Sequence, residues 1–388
     1  MPDTALYKSP YGELLLSRRP HRRRETLQAW DAADDYILQQ LSELKLAPDC
    51  RLLIVNDAQG SLSTALSSYD CSLWADSAIS QLSAIENCAR NKRPSPSFIP
   101  STRIPKGRFD YILYKLPKSR SLLRYQLQCI STLIVHPEQF IGAAMARHID
   151  HHVVEEFSKH LATAKPSLAR KKARLIQLQT PPKTINVTDD THVIILPELN
   201  LTLSNRANVF SRDKLDRGSR LMLRGIDKLA TPPSNIADLA CGNGLLGLYA
   251  ARKWANADIH FFDDSFMAID SAQTNLSANA IPPPSETSRV CSFSADDCLS
   301  NYQGDNFDLI LCNPPFHQDH HVGDHIAQTM FRDSVKHLAP HGRLCVVGNR
   351  HLGYHVTLKK LFGHCEVIES DAKFVVLLAQ RSHPHQNG

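Results

Sequence analysis

The sequence predicts an α/β protein made of two tandem doubly wound units with mostly parallel sheets. Apolar, β-branched runs of about 4–8 residues alternate with helical stretches, which is the pattern of βαβ units. Segments of the first half recur in the same order in the second, and 388 residues suit two domains at roughly 150 residues each. With 42% hydrophobic and 21% charged residues the chain is predicted to fold rather than stay disordered. No apolar run approaches the ~18–20 residues of a membrane span, so a soluble protein is expected.

In chain order, the first twenty residues carry early acidic side chains and no apolar signal core, which predicts a cytoplasmic protein. RLLIVND (51–57) is the first predicted strand of unit 1 and the loop NDAQG leads into a helix. WADSAISQLSAIENCARN (74–91) is a strand end followed by a helix, and RFDYILYKL (108–116) is a further strand. Pro and basic residues thicken through KPSLARKKARLIQLQTPPK (165–183), and the alternation of VIILPELNLTLSN (193–205) predicts short antiparallel strands. The boundary falls near 185–200, giving units 1–190 and 191–388.

Net charge is +5, but residues 1–190 hold 26 basic and 19 acidic side chains while 191–388 hold 18 and 20. The excess comes from SRRPHRRR (17–24), ARNKR (89–93), TRIPKGR (102–108), KLPKSRSLLR (115–124) and ARKKAR (169–174). Singly, each reads as a solvated face. Together on one face they would contact phosphates, which makes Arg22, Arg23, Lys115, Lys118, Arg170, Lys171 and Lys172 the candidate RNA-binding residues.

In the second unit, NIADLA (235–240), DIHFFDD (258–264), FDLILC (307–312), GRLCVVG (342–348) and KFVVLLA (373–379) are the predicted strands. LLIVNDAQGSLSTAL (52–66) aligns with NIADLACGNGLLGLYAA (235–251), placing Gly60 on Gly244. The segments at 74–91 and 109–118 align in turn with 262–279 and 307–316. Duplication of one Rossmann-like unit follows, with the first copy degenerate because its glycine loop is reduced and KLPK replaces NPPF.

Asp238-Leu-Ala-Cys-Gly242-Asn243-Gly244-Leu-Leu-Gly247 carries G-x-G-x-x-G between a strand and a helix. Such glycines permit a sharp turn and close backbone approach to a ligand, although nicotinamide and flavin folds use the same string. Asp263, at the end of the next strand, can accept from both ribose hydroxyls, with Asp264 as the neighbouring candidate. Asp238 would repel a pyrophosphate and attract an ammonium and sulfonium, which favours S-adenosylmethionine. Asp297, or its neighbour Asp296, can accept from an adenine amino group.

Asn313-Pro314-Pro315-Phe316 follows a buried strand directly, where an open sheet places its ligand crevice. A planar amino nitrogen is a poor nucleophile because its lone pair is delocalised. Carbonyl oxygens of Asn313 and Pro314 accepting its two hydrogens would aim that lone pair at a methyl donor, and Phe316 can stack on the base. Here the sequence resembles the class I S-adenosylmethionine-dependent methyltransferases that modify exocyclic or amide nitrogens. ANVFSRDKLDRGSRLML (207–223), with Phe210, Ser211, Asp216, Gly218 and Ser219 in place, resembles the segment that closes over the methionine end of the cofactor in rRNA guanine-N2 methyltransferases. The segments at 27–41, 114–123, 169–175 and 348–363 resemble the large-subunit methyltransferase G branch of that family.

The resemblance implies methylation of a guanine N2 in 23S rRNA, with Phe210, Ser211, Gly218, Asp238, Gly242, Asn243, Gly244, Asp263, Asp297 and Asn313 holding the cofactor. Asn313, Pro314, Pro315 and Phe316 would be catalytic and the first unit would bind RNA. Ala240 departs from the glycine usual in the family's loop, and its small side chain is expected to be tolerated. The alternatives are a small-subunit rRNA substrate, a protein glutamine or a DNA adenine, and, as a non-enzyme, an RNA-binding assembly factor with a vestigial site. Ten scattered cysteines without a CxxC pair predict free thiols, and the irregular spacing of His317, His320, His321 and His325 predicts no metal site. A monomer is expected.

Overall fold

The computed structural model describes residues 4–22, 25–188, 190–279, 289–315 and 320–381, without the side chains of 320–324. The chain divides into two compact units, Met1–Asp190 and Thr191–Gly388.

Unit 1 opens with a hairpin of β1 (Thr4–Ser9) and β2 (Gly12–Ser17), followed by α1 (Ala32–Ser42), β3 (Arg51–Val55), α2 (Ser61–Ala65), β4 (Asp70–Ala75) and α3 (Ala78–Arg90). Then come β5 (Ser97–Pro100), β6 (Tyr111–Lys115), α4 (Arg120–Ser131), β7 (Phe140–Met145), α5 (His151–His160), β8 (Ala164–Pro166) and β9 (Ala173–Leu178). Its seven-stranded sheet has the order β5-β4-β3-β6-β7-β9-β8. The stretch 165–183, where Pro and basic residues thicken, supplies most of β8 and all of β9, because Ala173, Leu175, Ile176 and Leu178 are buried against the sheet. The opening hairpin was not legible in the sequence, since Leu6 and Leu15 stay exposed while Tyr7, Leu14 and Leu16 go into the core.

Unit 2 repeats the plan with a hairpin of β10 (His192–Leu196) and β11 (Leu201–Asn205), then α6 (Arg217–Asp227), β12 (Asn235–Leu239), α7 (Leu245–Lys253), β13 (Asp258–Asp263) and α8 (Phe266–Ala278). It continues with β14 (Cys291–Ala295), β15 (Phe307–Cys312), α9 (His320–His337), β16 (Leu338–Asn349), α10 (Tyr354–Phe362), β17 (Gly363–Ser370) and β18 (Phe374–Arg381). Its strand order, β14-β13-β12-β15-β16-β18-β17, matches that of unit 1 position for position. In each sheet the first five strands are parallel, and β9 or β18 runs antiparallel to both of its neighbours. The shared order makes the duplication a property of the fold as well as of three short segments.

The strands read as continuous apolar runs because helices cover both faces of the sheet. In unit 2, Leu309, Leu311, Cys345 and Val347 join α6 and α7 in one core layer, while Ile310, Cys312, Leu344 and Val346 join α10 in the other. The order of strands reverses between β12 and β15, so a crevice opens at their carboxyl ends.

Candidate active site

The loop after β12 turns through left-handed residues. Ala240 has φ +61°, Gly242 +55° and Gly244 +81°, and Gly244 opens α7. A side chain on Gly244 would meet Ala272 Cβ at 2.9 Å, whereas the space above Gly242 is open for 4 Å. The loop is therefore closed below, where α8 packs, and open above. Ala240 is tolerated at a cost, because an L-residue in the left-handed region loses about 1–2 kcal/mol.

Two carboxylates frame this loop. Asp238 is fully buried at the end of β12; its Oδ2 accepts from the Gly247 N–H at 2.7 Å, while its Oδ1 is buried without a hydrogen-bond partner. Burial pushes its carboxyl up to about 7, against the Gly247 hydrogen bond and with help from Asp263. Asp263 accepts from Gly242 N–H and Ser265 N–H, both at 2.9 Å, which fixes it at the rim of the loop. Asp296 spends its oxygens on its own turn, accepting from Asp297 N–H, Ser300 Oγ and Asn301. Asp297, the next residue, is also buried.

Asn313 follows β15 immediately. Its Nδ2 donates to Ser219 Oγ at 3.0 Å, and its Oδ1 is buried without a partner. Ser219 is in the first turn of α6, where its own N–H is held by the N-cap Asp216 at 3.0 Å. A Cβ on Gly218 would strike Asp216 Oδ2 at 2.8 Å, so glycine lets this cap close. Sequence reasoning placed Gly218 and Ser219 in a cofactor-covering segment and missed that Ser219 orients the asparagine. Pro314 is buried and Pro315 half-buried behind Asn313, while Phe316 and His317 lie outside the described residues.

Phe210 is 49% exposed and Ser211 takes φ +56° in the segment leading to α6. The fully buried Asn205, a further residue that sequence reasoning missed, ties this segment to the glycine loop. Its Nδ2 donates to Arg212 O and its Oδ1 accepts from Asn243 Nδ2, each at 2.9 Å. Asn275 on α8 donates to Asn243 O at 3.0 Å from the other side. No local signal marks Asn205, because its role follows from partners 7 and 38 residues away.

The basic residues of unit 1 do not form one class. Lys115 is corrected from RNA contact to internal ion pair: its Nζ is 2.7 Å from both Asp31 Oδ1 and Asp34 Oδ1, and its side chain is only 13% exposed. Burial pulls its ammonium down, but Asp34 and Asp31 together hold it above its ordinary value. Asp31 and Asp34 are the N-cap and third residue of α1, as Asp216 and Ser219 are of α6. Lys115 therefore stands where Asn313 stands in unit 2. Arg22 is half-buried 3.7 Å from Glu25, and Arg23 lies outside the described residues. Lys118 is exposed, as are Arg170, Lys171 and Lys172 at the turn between β8 and β9.

A polar cradle that closes over left-handed glycines, with two buried acceptors left open, suits a cationic nucleoside cofactor. The Methyltransferase small domain family matches residues 200–378, and the RLMG N-terminal domain family matches residues 4–182. A ribosomal RNA large subunit methyltransferase G from Shewanella loihica is 41% identical over 95% of this chain and 93% of its own. The protein of the same name from Photobacterium profundum is 40% identical over 94% and 96%. A T. thermophilus 16S rRNA N2 methyltransferase, solved in complex with AdoMet and guanosine, shares the fold with TM-score 0.76 at 20% identity, covering 98% of each chain. At such identity over nearly its whole length, the chain belongs to the ribosomal RNA large subunit methyltransferase G family of S-adenosylmethionine-dependent enzymes.

Proposed function

We propose that this enzyme methylates the exocyclic N2 of one guanine in 23S rRNA, with unit 2 performing the transfer and unit 1 holding the RNA. The observation that carries the reading is the state of Asn313, whose amide nitrogen is engaged by Ser219 and whose buried oxygen is left to accept. S-adenosylmethionine supplies a methyl group made electrophilic by its sulfonium. Asp238 and the loop of Gly242, Asn243 and Gly244 would hold its methionine end, under Phe210, Ser211 and Gly218, while Asp263 would hold the ribose and Asp297 the adenine. Asn313 Oδ1 and the Pro314 carbonyl would accept the two N2 hydrogens and set the lone pair toward the methyl carbon, with Pro315 stiffening the turn and Phe316 against the base. Rate comes from position more than from a strong base, because the N2 proton becomes acidic once the methyl has moved and passes to water.

Labelled methyl transfer to rRNA from a strain lacking the protein, followed by nucleoside analysis, is expected to yield N2-methylguanine in 23S rRNA. Label in adenine, in 16S rRNA or in protein would replace this reading. The reading includes a cytoplasmic monomer; among the described residues no helix is long and apolar enough to cross a membrane.

The ionised form of Asp238 is the one that attracts the ligand's ammonium. Since its carboxyl titrates near 7, affinity for S-adenosylhomocysteine is expected to rise from pH 6 to pH 8 and to flatten in Asp238→Asn. Calorimetric titration across that range tests the assignment, and a wild-type affinity independent of pH would refute it.

The turn at 170–173 supports the RNA role of unit 1. Arg170 and Ala173 exchange backbone hydrogen bonds at 2.8 and 2.9 Å, with Lys171 at φ +48° and Lys172 at φ +68° between them. Asn-Gly is the sequence such a turn favours. Two lysines held there at a cost of about 1–2 kcal/mol each point to selection for charge. Lys171→Asn with Lys172→Gly should therefore raise the melting temperature yet weaken 23S rRNA binding and reduce its salt dependence. Equal RNA affinity for wild type and variant would remove these lysines from the interface.

A further inference from the structure

Besides Asn313, Asn349 ends its strand with a side-chain oxygen that is buried and has no hydrogen-bond partner. β15 and β16 are parallel neighbours, with Cys312 opposite Val346. Alternation along them puts Leu309, Leu311, Cys345 and Val347 in the core layer under α6, so Asn313 and Asn349 continue that same face. Phe374, the register partner of Asn349, packs 3.5 Å from the Cβ position of Gly218, next to the serine that holds Asn313. Asn349 lies two residues further along its strand than Asn313, about 7 Å at ~3.3 Å per residue, and one strand across at ~4.8 Å. Across a backbone separation of about 8 Å, two asparagine side chains on the same face can converge so that their oxygens reach adjacent nitrogens on one base edge.

The strand order says which ligand Asn349 serves. The loop and acids assigned to the cofactor sit on β12, β13 and β14, and β16 lies on the far side of β15 from all three. We propose that Asn349 reads the base, its Oδ1 accepting from guanine N1–H while Asn313 holds N2. This rests on the guanine-N2 function proposed above. Next to its N2, guanine presents a donor at N1 and an acceptor at N3, so an amide oxygen matches only the N1 side. Adenine and 2-aminopurine carry an unprotonated acceptor at N1 and would meet Asn349 as a repulsive pair. Asn349 therefore fixes both the base identity and which way round the base enters.

Asn349→Leu is expected to lower kcat/KM on 23S rRNA about 10- to 100-fold. S-adenosylhomocysteine affinity, measured by calorimetry, should stay within twofold, and Asn349→Asp, which keeps an acceptor oxygen, should retain most activity. On an rRNA fragment with 2-aminopurine replacing the target guanine, wild type should be slower than on guanine, and Asn349→Leu should lose that discrimination. A leucine variant that keeps wild-type kcat/KM and discrimination, or that loses cofactor affinity in parallel with activity, overturns the proposal. Absence of guanine-N2 transfer by the wild type overturns the function itself, and this reading with it.

Discussion

Asn313→Ala is expected to lower kcat for methyl transfer by about two to three orders of magnitude, the usual effect of removing one preorganised polar group aimed at the reacting atoms. Retention of 23S rRNA should be largely unchanged, because the side chain sits in the crevice of unit 2. Ser219→Ala separates the presence of the amide from its orientation. Without the 3.0 Å bond from Asn313 Nδ2, the amide can turn its NH2 toward the substrate, and a kcat loss of about fivefold follows from one hydrogen bond of ~1 kcal/mol. The substrate KM should move little in either variant. Single-turnover transfer at saturating cofactor measures both effects, and full activity of Asn313→Ala would defeat the mechanism.

The two residues of this pair differ in how far the sequence disclosed them. Asn313 was legible because its chemistry is carried by a local string, an amide followed by prolines directly after an apolar strand. The glycine loop was legible for the same reason, since left-handed turns at Gly242 and Gly244 need residues that sequence alone shows. Ser219 lies 94 residues away, and nothing local says that its hydroxyl faces Asn313. Asn205 and Asn349 were equally silent, as buried amides acquire meaning only from neighbours on other strands. Lys115 was misread for the opposite reason: a lysine near a Pro-Lys-Ser turn reads as solvated, yet Asp31 and Asp34, 84 and 81 residues earlier, enclose it. The alignment of KLPK with NPPF already placed Lys115 on Asn313, and the register, with Val55 opposite Tyr114 as Leu239 is opposite Cys312, gives that match its structural basis. Strands with one wet face, such as β1, β2 and β17, escaped because they lack the apolar run that marks a strand buried on both sides.

Lys115→Asn is expected to destabilise unit 1 by about 3–5 kcal/mol, the cost of removing one partner from a buried ion pair. One ammonium serves two carboxylates here. Burial acts to raise Asp31, but Lys115 and the α1 backbone N–H groups hold it below its usual range; burial pushes Asp34 up to about 7, aided by Asp31. Without Lys115 both acids lose their cation. Adding Asp34→Ser recreates the asparagine–serine pair that unit 2 uses at the corresponding positions, and the double variant should recover most of the loss. Denaturant unfolding of the full chain, followed through the transition of unit 1, measures this cycle; equal stability of Lys115→Asn and wild type would show that the pair contributes nothing. In unit 1 the polar groups around the former crevice satisfy one another: Lys115 with Asp31 and Asp34, Asp57 with Ser63 at 2.8 Å, and Asn56 with Gln126 at 2.8 and 2.9 Å. Unit 2 instead leaves Asp238 Oδ1 and Asn313 Oδ1 open. A crevice that has already paired its own charges offers nothing to a cationic ligand, so calorimetry should find one equivalent of S-adenosylhomocysteine per chain, all of it lost in a variant of unit 2 such as Gly242→Val. A second equivalent surviving that change would mean that unit 1 still binds the cofactor.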